Sequence, residues 1–153
     1  MLITPTRSDY ATMHPHDLVF VAEDGSYDQS GPEPSTETPL HSAIYAARPD
    51  AGAVVHCHSA YATAWSYLDE PLAPATEDIA YYDIGVVATA RFAPAGSNEL
   101  GSAAAEAIGD ARAVLLAGHG VLSLGTNPAQ ALIVAQVIEH QAQVAWLLRG
   151  PRR

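Results

Sequence analysis

The sequence contains no lysine, and this absence excludes several kinds of enzyme. All seven basic residues among the 153 are arginines. A Schiff-base aldolase and a pyridoxal-phosphate enzyme each need a lysine amine, and a P-loop NTPase needs the lysine of its phosphate-binding loop. None of these mechanisms is therefore available to this chain.

Cysteine, positive charge and long apolar runs are also scarce. Cys57 is the single cysteine, which excludes an internal disulfide and an all-cysteine zinc site. The formal net charge of −10 leaves no basic surface for a nucleic acid. There is no run of about 18 apolar residues and no signal-peptide pattern at the N-terminus. We therefore expect a cytoplasmic protein with neither a nucleic-acid nor a membrane partner.

The residues that are present suit a single α/β domain. Hydrophobic residues make up 48% of the chain and can supply a core, whereas charged residues make up 16%, which favours subunit faces buried between copies. Strands are predicted at residues 17–22, 53–58, 86–89, 113–117 and 121–124. Helices are predicted at residues 39–48, 60–68, 98–108 and 128–149, with a helical turn at 75–83. This order of elements predicts a mixed sheet.

Two histidines flank Cys57 on the predicted strand at residues 53–58. Since side chains alternate along a strand, His56 and His58 point the same way and Cys57 points to the opposite face. Two imidazoles at this spacing can chelate a metal, and a catalytic zinc site needs a third ligand. His119 is the third candidate, because the glycines on either side let the backbone approach a ligand closely.

Glu37 lies at a predicted helix start, four residues before His41. A carboxylate there would complete a metal site or act as a base. An HxH pair alone is a weak signal, so the alternative is that these histidines are core residues without a metal.

The remaining histidines and the cysteine are given structural interpretations. His14 and His16 form a second HxH pair, which we expect in a surface loop without metal because Pro15 interrupts it. His140 has no partner at a suitable spacing and is interpreted as structural. Cys57 is interpreted as a small core residue.

Several segments, in the same order, resemble those of the class II aldolase/adducin family. They are residues 3–6, 34–41, 48–50, 53–59, 92–100 and 115–121 (ITPT, PSTETPLH, RPD, AVVHCHS, FAPAGSNEL and LLAGHGV). The resemblance extends over roughly residues 2–149. Several motifs in the right order are far more specific than any one of them, so the chain is identified as a member of this family.

The resemblance implies a fold and a metal. The fold is a three-layer α/β/α arrangement around a central mixed, mainly antiparallel sheet. The metal is Zn²⁺, or another divalent ion such as Mn²⁺, Co²⁺ or Fe²⁺, held by His56, His58 and His119. Glu37 is implied to be the acid/base beside that metal.

The resemblance also implies a small-molecule substrate, usually a phosphorylated sugar or hydroxy-ketone. The positions that match the phosphate-binding residues of the family are Thr6, Ser35 and Thr36. Ser35 and Thr36 precede a helix start, which is a natural anion site. Capping of that helix is the alternative interpretation of both residues, and the two roles are compatible.

The reaction implied is retro-aldol cleavage through a metal-stabilised enediolate, by a homotetramer. The alternatives within the family are dehydration, decarboxylation and epimerisation. An alternative of a different class is a catalytically degenerate, adducin-like oligomerising module. The presence of all four metal-site residues together favours a lyase.

Residues 1–153 differ from the usual family pattern in three ways. We expect a single domain that lacks the family's N-terminal helix and a Gly-Asn segment whose asparagine contacts phosphate. Arg7 stands where the family usually has glycine, and it either supplies a bidentate anion contact or fills space. The tail has no tyrosine to act as proton donor. Tyr81 and Tyr82 lie roughly where a neighbouring subunit supplies that group, and packing in the core or an interface is their alternative role.

Overall fold

A computed structural model describes residues 1–68 and 70–149. Within these residues the strands are β1 (Leu2–Ile3), β2 (Val19–Phe20), β3 (Ala53–Cys57), β4 (Thr89–Ala90), β5 (Ala113–Leu116) and β6 (Gly120–Gly125). The helices are α1 (Thr38–Ala47), α2 (Ala60–Trp65), α3 (Glu77–Tyr81), α4 (Asn98–Ile108) and α5 (Pro128–Arg149), with a 3₁₀ helix at Pro15–Asp17.

The main sheet has four strands in the order β3-β6-β5-β4. β3 and β5 each pair antiparallel with β6, and β4 pairs parallel with β5. The sheet is therefore mixed and mainly antiparallel, as the sequence predicts. Because β6 lies between β3 and β5, the end of β3 comes next to the turn that joins β5 to β6.

Alternating side chains on the sheet supply two separate cores. On β5, Val114 and Leu116 pack into the core that contains α1 and α4, while Leu115 packs into the core that contains α2, α3 and α5. Helices therefore cover both faces of the sheet. The predicted three-layer α/β/α architecture is confirmed.

α4 and α5 begin or end where the sequence contains a suitable signal. Ser97 caps α4, because its hydroxyl accepts a hydrogen bond from the Leu100 amide at 3.1 Å. Gly109 ends α4 with a φ of +49°, a conformation that glycine adopts readily. The Asn127 side chain accepts a hydrogen bond from the Gln130 amide at 3.0 Å and starts α5.

A small two-stranded sheet holds the N-terminal segment. β1 pairs antiparallel with β2, and Ile3, Val19 and Val21 form a separate apolar cluster. Residues 4–6 continue from β1 and run along residues 33–35, since Thr6 donates its amide to Glu33 O and Ser35 donates its amide to Thr4 O, both at 3.0 Å. This pairing brings two segments that are distant in sequence to one place.

Two predicted strands differ from the structure by more than one residue at an end. β2 covers residues 19–20 of the predicted 17–22, because its partner β1 has two residues and residues 15–17 form the 3₁₀ helix. β4 covers residues 89–90 instead of 86–89, because pairing with Leu115 and Leu116 of β5 begins at Thr89. α2 ends at Trp65, and a turn follows where the sequence predicts helix to residue 68.

By length and composition alone, α5 is apolar enough to cross a membrane. A core helix meets the same criteria, and α5 buries Val134, Ile138 and Ala142 against the sheet and its neighbouring helices. The absence of a membrane partner remains a prediction from the sequence.

Candidate metal centre and its cleft

His56 and His58 lie at the end of β3 and face the same side of the sheet. Their Nε2 atoms are 3.1 Å apart. Val54, two residues before His56, packs into the core beneath α1 and α4, while Cys57 packs into the opposite core. The alternation expected from a strand is therefore observed.

His119 reaches the same place from the turn between β5 and β6. The turn is closed by a hydrogen bond from the His119 amide to Leu116 O at 2.9 Å. Gly118 adopts a φ of +66°, and a Cβ on Gly120 would lie 2.4 Å from Cys57 O. Both glycines are needed, one for the left-handed conformation and one for the close approach of β6 to β3.

The three imidazoles form a compact cluster. One nitrogen from each of His56, His58 and His119 lies within 4.8 Å of the others. The ring centroids are 4.7 to 4.9 Å apart. Three nitrogen donors that converge from rigid elements and leave a further position open have the arrangement of a catalytic zinc site.

The protonation state of the cluster suits metal binding. The Nδ1 atom of His56 lies 3.0 Å from Val121 O, so the carbonyl favours a proton on Nδ1 and leaves the Nε2 lone pair free. Burial lowers the pKa of His56 to about 4. Burial also lowers the pKa of His119, although the nearby Glu37 carboxylate opposes this shift. Neutral imidazoles are the form that binds a metal.

Glu37 immediately precedes α1 and lies beside the histidines. Its Oε1 atom is 3.8 Å from His119 Nε2, and its Oε2 atom accepts a hydrogen bond from the Gly96 amide at 3.3 Å. The side chain is 13% exposed. Gly96 has a φ of +73°, and a Cβ there would lie 3.0 Å from Thr36 O. The 92–100 segment therefore closes tightly over the start of α1 and holds the carboxylate.

Thr6, Ser35 and Thr36 line the same cleft as Glu37, His56 and His58. The cleft has a volume of about 580 Å³. The Ser35 hydroxyl accepts a hydrogen bond from the Glu37 amide at 3.2 Å, in a turn that precedes α1. The residue at the N-cap position of α1 is Glu37, and no side chain of the described residues caps the helix there, so capping by Ser35 or Thr36 is not observed. The Ser35 hydroxyl keeps its own proton to donate.

His41 and Tyr10 also line the cleft, and neither is predicted from the sequence to be a site residue. His41 follows Glu37 by one helical turn, and this spacing on a helix is a signal that places both side chains on one face. Burial lowers the pKa of His41 to about 4. Tyr10 also lines the cleft, and no pattern in the sequence indicates it.

The other histidines considered above, and the two adjacent tyrosines, lie outside this cluster. His14 and His16 stack on each other at the surface, with ring centroids 5.4 Å apart. His140 is exposed on α5. Tyr81, the last residue of α3, is 81% exposed, and its ring contacts the Tyr82 ring edge-on. Neither tyrosine lines the cleft.

Comparison with known proteins identifies the family. The sequence profile described as Class II Aldolase and Adducin N-terminal domain matches residues 1–146. L-fuculose phosphate aldolase of Haemophilus influenzae is 35% identical over 149 residues, covering 97% of this chain and 68% of that protein. L-ribulose-5-phosphate 4-epimerase of Salmonella paratyphi C is 32% identical over 161 residues, covering 98% of this chain and 71% of that protein.

A solved structure gives the same result. That structure, of an L-fuculose 1-phosphate aldolase, superposes with a TM-score of 0.87 at 34% identity, covering 97% of this chain and 70% of the other. The chain spans about two thirds of the length of the curated relatives it matches. Both the sequence motifs and the fold lead to one conclusion: the chain belongs to the class II aldolase and adducin family.

Proposed function

We propose that the protein is a metal-dependent lyase that cleaves a small phosphorylated hydroxy-ketone or sugar by a retro-aldol reaction. The observation that carries this proposal is the meeting of three histidine nitrogens with a carboxylate, the Glu37 Oε1 atom being 3.8 Å from His119 Nε2. The sugar-phosphate aldolases among the relatives support the same class of reaction.

His56, His58 and His119 would hold the divalent metal, and zinc suits the three nitrogen donors best. When bound, the metal supplies a Lewis acid that stabilises negative charge on substrate oxygens as the carbon–carbon bond breaks. The chain contributes the three imidazole ligands and a cleft that positions the substrate beside them.

Glu37 is the acid/base of the proposed reaction. Retro-aldol cleavage requires removal of a hydroxyl proton, after which the carbon–carbon bond breaks into an aldehyde and a second fragment that must gain a proton on carbon. The Glu37 Oε2 atom is engaged by the Gly96 amide, so Oε1 is the atom available to take up or return a proton.

Thr6, Ser35 and Thr36 are proposed to hold the substrate phosphate. Their hydroxyls line the cleft that contains Glu37 and two of the histidines. Hydroxyl donors just before a helix start favour an anion, because the helix dipole adds to the attraction.

We also propose that the protein is a homo-oligomer, a tetramer by analogy with the family. Large apolar side chains are exposed along α5, with Leu132 50%, Leu147 66% and Leu148 76% exposed. The highly exposed Tyr81 would then be available to the cleft of a neighbouring copy as a proton donor. Sedimentation should show a stable assembly at micromolar concentration, and a stable monomer would contradict this part of the proposal.

The proposed function is tested by metal analysis of protein purified without chelator, together with a screen of phosphorylated ketoses. We expect bound divalent metal and the appearance of an aldehyde fragment. Conversion of one ketose phosphate into its epimer would instead support an epimerase, which the epimerase relative makes the second candidate. If added zinc does not bind and no ketose phosphate is converted, the proposal is wrong.

A further inference from the structure

We propose that Arg7 is the cationic anion-binding residue of the cleft and makes the protein selective for substrates that carry a phosphate dianion. This inference deepens the sugar-phosphate lyase function proposed above and rests on it for the identity of the cleft.

Arg7 lies beside the hydroxyls proposed to bind phosphate. It directly follows Thr6, and residues 4–6 are tied to residues 33–35 by the hydrogen bonds at 3.0 Å described above. Arg7 also lines the cleft together with Ser35 and Thr36. Among the residues that line this cleft, it is the one lysine or arginine.

The backbone of Arg7 adopts a conformation that favours glycine. Its φ is +55°, in the left-handed region, where a side chain with a Cβ is disfavoured. Glycine would satisfy this turn without strain. An arginine held there at a cost in stability indicates that its side chain has a role in the cleft.

The Arg7 guanidinium is also free of protein partners in the part of the chain that the structure describes. Arg48 pairs with Asp50 at 2.7 Å, and Arg149 pairs with Glu70. Arg7 has neither an ion pair nor a side-chain hydrogen bond within residues 1–68 and 70–149. Its donors are therefore available to a ligand.

Charge balance favours a cation beside these hydroxyls. The chain has a formal net charge of −10, and one of its carboxylates, Glu37, lies inside the cleft. These negative charges repel a phosphate dianion, and a guanidinium beside the hydroxyls would offset the repulsion in addition to any metal held by the histidines. The planar fork of a guanidinium matches phosphate oxygens with two parallel hydrogen bonds, and the nearby hydroxyls can engage a third oxygen.

The test measures binding of inorganic phosphate by calorimetry at low ionic strength, with the protein as purified and again after chelator treatment. The second titration separates anion binding by the cleft from binding by a metal. We expect Arg7→Gly to weaken phosphate binding by roughly tenfold or more in both states, since a charge-assisted hydrogen bond is lost. The melting temperature should not fall, because glycine suits the positive φ.

Arg112→Gln is the matched control. It also removes one positive charge, but Arg112 precedes β5 at the end of the strand opposite the His119 turn and lines a different cleft, with Asp50 and Asp110. It should leave phosphate affinity within about twofold. Arg7→Lys should retain part of the affinity, because it keeps the charge and loses the fork. Equal phosphate affinity in the wild type and Arg7→Gly would overturn the proposal.

Kinetics separate this proposal from the proposed function. On a cleaved ketose phosphate, Arg7→Gly should lower kcat/KM by roughly tenfold, and the loss should be smaller on the unphosphorylated ketose. Arg7-dependent phosphate binding in a protein without lyase activity would contradict the lyase function and support the anion site. Lyase activity that is insensitive to Arg7 and to phosphorylation would support the function and contradict the anion site.

Discussion

The two HxH pairs of this chain have the same spacing and entirely different surroundings. His14 and His16 lie around a 3₁₀ turn at the surface, and their rings stack nearly parallel, at 13°, with centroids 5.4 Å apart. His56 lies on β3 and His58 directly follows that strand. Their rings are inclined at 70° with centroids 4.9 Å apart, and His119 meets them from another turn.

The difference shows that backbone and neighbours, not spacing, make a candidate metal site. Pro15 belongs to the 3₁₀ helix, and Asp17 accepts a hydrogen bond from the His14 amide at 2.7 Å, so the first pair belongs to a local turn. The second pair lies at the end of β3, which is hydrogen-bonded to β6, and β6 begins at the residue after His119. Sheet pairing therefore supplies the third ligand that the first pair lacks.

The largest expected difference between the two pairs is in metal content. His119→Ala or His56→Ala should abolish stoichiometric zinc binding and all turnover, because two imidazoles remain where three are needed. His14→Ala and His16→Ala are matched controls that should keep full metal content. Elemental analysis of the dialysed proteins measures this. Stoichiometric zinc in His119→Ala, or loss of zinc in His14→Ala, would contradict the assignment of the metal site to His56, His58 and His119.

Glu37→Gln separates a catalytic carboxylate from a ligand. If Glu37 is the acid/base, the variant should keep its metal on three histidines and lose roughly 10²- to 10⁴-fold in turnover. Metal content and turnover are measured on the same sample.

The other outcomes for Glu37→Gln contradict that role. Weaker metal binding would make Glu37 mainly a ligand. Unchanged metal and full turnover, with stability reduced by about 1 kcal/mol, would make it a helix-start residue only.

The close approach of β6 to β3 can be tested with one methyl group. Gly120→Ala places a Cβ 2.4 Å from Cys57 O, so the strands must separate and His119 must move. We expect a loss of about 1–3 kcal/mol in the free energy of unfolding and weaker zinc binding. Gly31→Ala, whose Cβ meets nothing closer than 3.7 Å, is the control and should change neither. Denaturant unfolding and zinc titration give the answer, and unaltered stability in Gly120→Ala would contradict the packing described here.

The smallest effect is the pH dependence of the metal-free protein. His41 and His56 have pKa values of about 4 in the fold, below the ordinary value of 6.5. Between pH 6.5 and 4 the unfolded chain binds protons that the folded chain does not, so stability should fall as the pH is lowered through this range.

Replacement of His41 by asparagine tests this linkage. It should reduce the slope of stability against pH by up to about 1.4 kcal/mol per unit. Denaturant unfolding at several pH values measures this slope. The same slope in the variant and the wild type would contradict the assigned burial of His41.

Much of the fold follows from the sequence because its signals are local. α4 begins at Asn98 and ends at Ile108 as predicted, since Ser97 and Gly109 mark both ends. The limits of β2 and β4 could not be predicted, because they depend on the length and register of the partner strand. Pairing between distant segments produces no recognisable pattern in the sequence of either segment.

For the same reason, only part of the candidate site could be predicted from the sequence. The convergence of His56 and His58 follows from strand alternation, and the flanking glycines indicate His119. The contact between Glu37 and Gly96, and the placing of Tyr10 in the cleft, depend on how loops close over α1. Sequence spacing carries no information about such closure. The left-handed conformation of Arg7 is likewise visible only in three dimensions.

A crystal structure of the zinc-loaded protein, with anomalous data at the zinc edge, decides whether the three histidines form a metal site. We expect one site per chain, with a nitrogen from each of His56, His58 and His119 at about 2.0–2.1 Å and Glu37 beside it. A zinc peak on His14 and His16, or no peak in the cleft at saturating zinc, would contradict it.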